Sequence, residues 1–284
     1  MLFSVLICTY KEDNPRWLDL ALTSIWDDQV LKPSEIVLVQ DGRIPACLEQ
    51  VVLKWKEKLA NKLCMVVLTE NKGLASALNA GLLQCKFELV ARMDPDDISL
   101  PSRFAHQINF MKKHKDISVV GTWVEEMCAD MKASFFVKKL PTCPQDLIKF
   151  AKFRSPLAHP SVMMRKADVL ACGGYPATYP EDYHLWSIML SRQIKLANIP
   201  SVHLQMRTGS DFLKRRGKRF LLGELKVLKI QKDMFMISWK FFFIKLICLI
   251  VLRNCPIFLR KIFYKKMRRI DNALHRAIIN TCIF

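Results

Sequence analysis

Asp94, Pro95, Asp96 and Asp97 follow the run Phe87 to Met93 and form an acidic cluster in a chain whose net charge is +18. The run Phe-Glu-Leu-Val-Ala-Arg-Met reads as a buried strand, and Pro95 keeps Asp94 in extended geometry, so Asp94 and Asp96 project from the same side of the chain. Two carboxylates aimed at one spot repel each other unless a cation lies between them. A hard divalent ion with oxygen ligands suits such a pair and keeps positions open for the phosphates of a substrate. Asp-Pro-Asp-Asp is also good turn chemistry, so a solvated turn is the alternative. A second acidic pair, Glu181 and Asp182, heads a helical pattern with apolar residues at 185, 186, 189 and 190. At a helix start the dipole favours negative charge, which makes plain capping one reading of that pair.

The elements that carry these residues follow from the spacing of apolar runs. Phe3 to Cys8, Ile36 to Val39, Met65 to Leu68 and Leu89 to Met93 are predicted strands. Between them lie predicted helices over Asn14 to Trp26, with Asn14 and Pro15 as cap and first-turn residue, over Ala46 to Leu59, and over Leu74 to Leu83. A βαβ series of this kind implies an α/β fold with a mainly parallel, doubly wound sheet and a site at the carboxyl ends of its strands. Each predicted strand ends in polar residues: Thr9 and Tyr10, then Asp41 and Gly42, then Asn71, Lys72 and Gly73, then the acidic cluster. Further along, the chain reads as β-rich over 118 to 137, helical over 145 to 152, strand over 159 to 165 and turn over 172 to 176.

With 284 residues and 51% hydrophobic content the chain can bury a full core and carry an appendage. The ten cysteines form no CxxC pair and no disulfide-scaffold spacing, so free thiols in a reducing compartment are expected. The apolar start, Met1 to Cys8, is too short for a signal peptide and fits a first strand. Charge divides the chain near residue 206. Residues 1 to 206 carry net +3 and residues 207 to 284 carry net +15, an asymmetry that marks an anionic membrane or nucleic-acid surface.

Five blocks in order resemble the family 2 glycosyltransferases of the GT-A fold, particularly bacterial enzymes that build O-antigen and exopolysaccharide repeat units. They are Ser4 to Tyr10 (SVLICTY), Gln40-Asp41-Gly42, Glu70 to Gly81 (ENKGLASALNAG), Ala91 to Asp97 (ARMDPDD) and Glu181 to Trp186 (EDYHLW), and the likeness spans about residues 2 to 210. The resemblance implies a GT-A domain over 1–206, and the charge excess beyond it marks 207–284 as a basic helical membrane-associating region. It further implies that Thr9, Tyr10 and Glu12 receive uracil and ribose, that Asp41 accepts from the uracil edge, and that Asn71, Lys72 and Gly73 lead a helix amino end toward phosphate. Arg92 and Asp94 fall on the donor side. Asp94 and Asp96 would hold Mn²⁺ or Mg²⁺ on the diphosphate of a UDP-sugar, with Asp97 beside them or on the acceptor side, and Arg103 as an ion-pair partner of the cluster or a direct participant. Asp182 would be the general base that draws the proton from an attacking sugar hydroxyl, giving inversion, with Glu181 and Trp186 on the acceptor side. Arg207, Arg215 and Arg216 are implied diphosphate or acceptor contacts, a solvated basic face being their alternative.

Met234 to Leu252 is apolar except for Ser238, Lys240 and Lys245. Two lysines in such a span cost about 2.5 to 3.5 kcal/mol each on insertion, which favours a helix lying in the interface over one crossing it. Residues 257 to 270 repeat the pattern, with apolar residues on one arc and basic residues opposite. The tail thus suits an anionic cytoplasmic leaflet. The family resemblance implies that the acceptor there is an undecaprenyl-diphosphate-linked saccharide and the enzyme peripheral on the bacterial inner membrane. Sugar-phosphate nucleotidylyltransferases would carry a Gly-rich basic loop after the first strand, which Thr9 to Asp13 does not resemble. A non-catalytic membrane or nucleic-acid binding protein on the same fold is the other alternative. Because the charge coincides with the apolar tail, a membrane accounts for both features and nucleic acid is not expected.

Overall fold

A computed structural model describes residues 1–208 and 218–254. Its strands are β1 (Phe3–Thr9), β2 (Glu35–Asp41), β3 (Leu63–Leu68), β4 (Leu89–Met93), β5 (Ile98–Ser99), β6 (Ile117–Met127), β7 (Ser134–Lys138), β8 (Met163–Arg165) and β9 (Lys195–Arg207). They form one sheet in the order β3-β2-β1-β4-β8-β6-β9-β5, with β7 added to β6. The first four strands are all parallel. Beyond β4 the sheet is mixed: β8 is antiparallel to both β4 and β6, while β6 and β9 run parallel.

Parallel strands need both faces covered, and the alternation along β1 supplies that. Phe3, Val5 and Ile7 enter a core shared with helices α1 (Pro15–Trp26), α2 (Ala46–Leu59) and α4 (Arg103–Lys113). Leu6 and Cys8 face the opposite core, formed with α3 (Leu74–Gln84), α5 (Pro144–Ala151), α6 (Lys166–Ala171) and α7 (Glu181–Ser191). Asn14 caps α1 by accepting hydrogen bonds from the amides of Arg16 and Trp17, at 2.9 and 3.4 Å, and Pro15 opens the helix.

One expectation changes and one element was not foreseen. The predicted strand over 159–165 is a 3₁₀ turn at His159–Ser161 followed by a three-residue strand, because Pro160 cannot donate to a ladder. The 13-residue β9 carried no clear apolar run and its pairing with β6 shifts register at Trp123, yet it forms the longest ladder beside the site.

The basic region beyond 207 is not uniform. Helix α8 (Lys218–Asp233) packs onto the body through Val227, Leu228 and Gln231, all fully buried. Helix α9 (Trp239–Asn254) turns Trp239, Phe243, Ile244, Ile247 and Val251 outward, each more than half exposed. Lys245, counted above against membrane insertion, points inward to the carbonyl of Lys152 at 2.5 Å, and burial lowers its pKa to about 8. No described helix is long and apolar enough to cross a membrane. Arg215, Arg216 and the amphipathic stretch over 257–270 lie outside the described residues.

Candidate active site

The carboxyl ends of β1, β2 and β4 meet where the strand order turns from β3-β2-β1 to β4, the switch point at which open α/β sheets bind their ligands. Asp41, at the end of β2, is buried and accepts hydrogen bonds from the amides of Lys72 at 2.8 Å and Gly73 at 3.0 Å. It thereby fixes the loop leading into α3, and each oxygen keeps a second lone pair. The loop is close-built as well: a Cβ on Gly42, where φ is +82°, would lie 2.6 Å from the amide nitrogen of Asn71. Gly42→Ala should destabilise the fold by about 2 kcal/mol or more through left-handed strain plus this clash, read as a lowered urea midpoint. An unchanged midpoint would show that the two loops part easily.

Asp94, Asp96 and Asp97 bring carboxylate oxygens within 4.8 Å of one another. Asp97 is buried, one oxygen accepts from the Arg207 amide at 2.8 Å, and the other finds no hydrogen-bond partner. Burial, together with the charges of Asp96 and Asp94, pushes its carboxyl well above the usual range. Three hard oxygen donors and an orphaned carboxylate oxygen are the donor set a Mg²⁺ or Mn²⁺ ion takes, so these residues fit the expected metal. Asp13 adds a fourth acid, half-buried on the turn after β1, where it accepts from the Tyr10 amide at 2.9 Å. Burial and then the nearby cluster raise its pKa to about 6. Tyr10 and Glu12 are solvent-exposed at the mouth, their side chains 3.4 Å apart, and Thr9 is buried beneath them.

Arg92, only 2% exposed, is close enough to both acidic centres for its charge to act on each. It pairs with Asp94, and its Nε and Nη1 have no hydrogen-bond partner in the protein. Burial by itself would lower its pKa, but Asp94 more than offsets that and keeps the guanidinium charged. The same charge acts on Glu181 and Asp182 at the start of α7. Burial and the charge of Asp182 push Glu181 up to about 7, and burial likewise raises Asp182. The oxygen of Asp182 accepts from the Ser155 hydroxyl at 3.3 Å. Below the pair lies His159, with its Nδ1 3.8 Å from Glu181 and its Nε2 3.1 Å from the Tyr175 hydroxyl. Burial, then Arg92, keeps this imidazole neutral.

Three expected roles are revised. Trp186 is fully buried with its ring 6.2 Å from that of His159, so it packs under the acceptor side and lines no pocket. Arg103 makes no ion pair with the cluster; it is buried and donates to the Arg92 carbonyl at 2.7 Å and to Gln107 at 3.1 Å. Arg207, expected at a diphosphate, spends its guanidinium on the carbonyls of Asp96 and Ala129 and lies over the Trp17 ring, so it holds the acidic loop in place. His159, Tyr175 and Asp13 escaped sequence reasoning. Only Asp13 left a signal, as a polar residue three positions after Tyr10 at a strand end.

A mixed α/β sheet whose parallel half ends in an acidic cluster, with a separate buried acid pair nearby, is the kind of crevice in which such folds place a ligand site. Residues 4–174 match the family model for glycosyl transferase family 2, and the chain belongs to that family. It is 39% identical over 232 residues to the amylovoran biosynthesis glycosyltransferase AmsE of Erwinia amylovora, covering 81% of this chain and 85% of that protein. It is 36% identical over 269 residues to the UDP-Gal:alpha-D-GlcNAc-diphosphoundecaprenol beta-1,3-galactosyltransferase of Escherichia coli, covering 94% of this chain and 96% of the relative. Among solved structures, TarS 1-349 of S. aureus superposes with a TM-score of 0.62 at 19% identity over 80% of this chain and 64% of that one. The mannosyltransferase PcManGT of Pyrobaculum calidifontis, in complex with GDP-Man and Mn²⁺, gives 0.60 at 16% identity over 81% and 64%. At these identities the two structures establish the shared GT-A-like fold alone.

Proposed function

We propose that the protein transfers a hexose, galactose or glucose, from UDP to a saccharide joined through diphosphate to undecaprenol. The transfer inverts the anomeric centre, makes a β-linkage, and extends an O-antigen or exopolysaccharide repeat unit. The observation that carries this is the pairing of the Asp94, Asp96 and Asp97 cluster with Glu181 and Asp182 across buried Arg92. The activity for which the E. coli relative is named, a protein similar over nearly its whole length, supports the choice of donor and acceptor.

Thr9, Tyr10 and Asp41 border the space for uracil and ribose, and the Asp41-pinned loop brings the amino end of α3 toward anionic phosphate. A divalent cation held by Asp94 and Asp96, with Asp97 beside them, would offset charge on the departing UDP. Asp182 accepts the proton of the attacking hydroxyl, while Glu181, His159 and Arg92 fix its surroundings. Labelled UDP-sugars should be offered to a synthetic GlcNAc-diphosphate-lipid with and without Mn²⁺. UDP-galactose or UDP-glucose alone should give product, and only with the metal, and the new anomeric proton should show the large coupling of a β-linkage. Equal transfer without metal, or an α-product, would refute this reading.

The enzyme works from the cytoplasmic leaflet as a peripheral protein, with the outer face of α9 in the interface. Exposed Trp239, Phe243 and Ile247 lie at four-residue steps, one helical stripe, and Lys232 sits 4.4 Å over the Trp239 ring. Replacing Phe243 and Ile247 together by serine should weaken binding to anionic vesicles by about 2 kcal/mol, roughly thirtyfold, in a sedimentation assay. Unchanged binding would remove α9 from the membrane contact.

A further inference from the structure

Lys245 belongs to a buried polar network at the junction of α5, α7, α8 and α9. Helix α5 ends with the carbonyls of Ala151 and Lys152, which have no partner further along the helix. The Tyr183 hydroxyl donates to the Ala151 carbonyl at 2.6 Å, and Gln231 Nε2 donates to the same carbonyl at 2.8 Å. Gln231 also reaches the Tyr183 hydroxyl at 3.2 Å and Ser187 at 3.1 Å. Lys245 Nζ donates to the Lys152 carbonyl at 2.5 Å, the Tyr183 hydroxyl at 3.1 Å and Gln231 Oε1 at 3.3 Å. Its three protons match its three acceptors, and the cation sits at a helix carboxyl end, where the dipole favours positive charge.

What this junction holds is the start of the segment that meets the acid pair. Three residues after Lys152, the Ser155 hydroxyl lies 3.1 Å from the Leu157 carbonyl and 3.3 Å from Asp182 and shares its one proton between these two acceptors. Tyr183, a member of the network, is the residue next to Asp182 on α7. Between the two ends, Phe153 packs edge-on to Phe241 of α9 with ring centroids 5.1 Å apart. Helix α9 therefore grips both sides of Asp182: the segment that donates to it and the helix that carries it.

We propose that Lys245, with Gln231 and Tyr183, is a positioning residue for Asp182, acting through the 152–155 segment and Ser155. This rests on reading Asp182 as the proton acceptor, and it gives the C-terminal helix a second task besides its outer apolar face. The helix that meets the interface also completes the acceptor side of the site.

The test uses the full chain and a short-chain, water-soluble GlcNAc-diphosphate acceptor, so that membrane affinity plays no part. Lys245→Met and Ser155→Ala should each lower kcat by up to about a hundredfold, the cost of displacing a reacting group by about 1 Å, with donor KM little changed. The double variant should lose no more than the worse single one, because both act on one path. Circular dichroism and the unfolding midpoint report folding separately. Normal kcat in folded Lys245→Met, or losses that multiply in the double variant, would overturn the proposal. Should Lys245→Met not fold, Ser155→Ala decides it, since normal kcat there breaks the path at its other end. Retained turnover in Asp182→Asn would instead strike the reading of Asp182 itself, whereas an inactive Asp182→Asn beside a fully active Lys245→Met strikes only the positioning role.

Discussion

Asp96→Ala should lower transfer by about a thousandfold or more while leaving the protein folded. Asp96 is one of three carboxylates within 4.8 Å, and its charge is one reason, after burial, that Asp97 holds its proton so tightly. Removing it relieves repulsion from Asp94 and Asp97 but gives up the attraction of Arg207, so the variant should stay folded with a midpoint close to the parent's in the absence of metal. A large loss of activity without loss of stability is what distinguishes a site that holds a cation and a diphosphate from one that merely shapes a turn. Excess EDTA should stop the parent enzyme in the same way, with Mn²⁺ restoring it. Near-normal turnover in Asp96→Ala, or full activity under chelator, would take the acidic cluster out of the reaction.

Asp182→Asn should be about as damaging, because an amide cannot accept the proton of the attacking hydroxyl. The parent should also show an acid limb. Glu181 is pushed up to about 7 by burial and by the charge of Asp182, and burial raises Asp182 as well, so the pair takes up a proton as pH falls through neutrality. Since the ionised base is the active form, kcat should drop about tenfold per pH unit below that limb, and in Asp182→Asn the residual rate should lose it. Stability runs in the same window with a definite sign. Between the ordinary glutamate value of 4.5 and about 7, the folded state keeps a proton on Glu181 that the unfolded chain has released. Its stabilising contribution is therefore full below that window and is lost as pH rises through it. Asp182→Asn removes the neighbouring charge and should flatten this decline. A parent profile that is level from pH 5 to 8 would mean the pair is not titrating in the reaction.

Much of the site could be read in the chain because it lies at strand ends. A parallel strand must be apolar to be buried on both faces, so its polar successors stand out. Thr9 and Asp94 follow such a run directly and Asp41 follows one after Gln40, and β4 was legible to the residue. The Asn14 cap and Pro15 likewise set the start of α1 by local chemistry. Residues whose role depends on contacts far along the chain were not legible. Arg207 meets Asp97 across a separation of 110 residues, and His159 meets Tyr175 only after a turn and a helix have folded them together. The 13-residue β9 escaped for the same reason: its ladder with β6 comes from a distant partner, and its own sequence has no clean alternation.

By itself the sequence determined the α/β order of elements, the acidic cluster, the acid pair and the division between a nearly neutral body and a basic tail, because these rest on local patterns of polarity and charge. Tertiary structure alone decided that Trp186 and Arg103 are interior, that Arg207 fastens the acidic loop, and that Lys245 turns into the body while Phe243 and Ile247 of the same helix turn out. The physical reason is that a side chain's type states what it can bond to, whereas burial and the nearest partner state what it does bond to. Those are fixed only when segments a hundred residues apart are packed against each other.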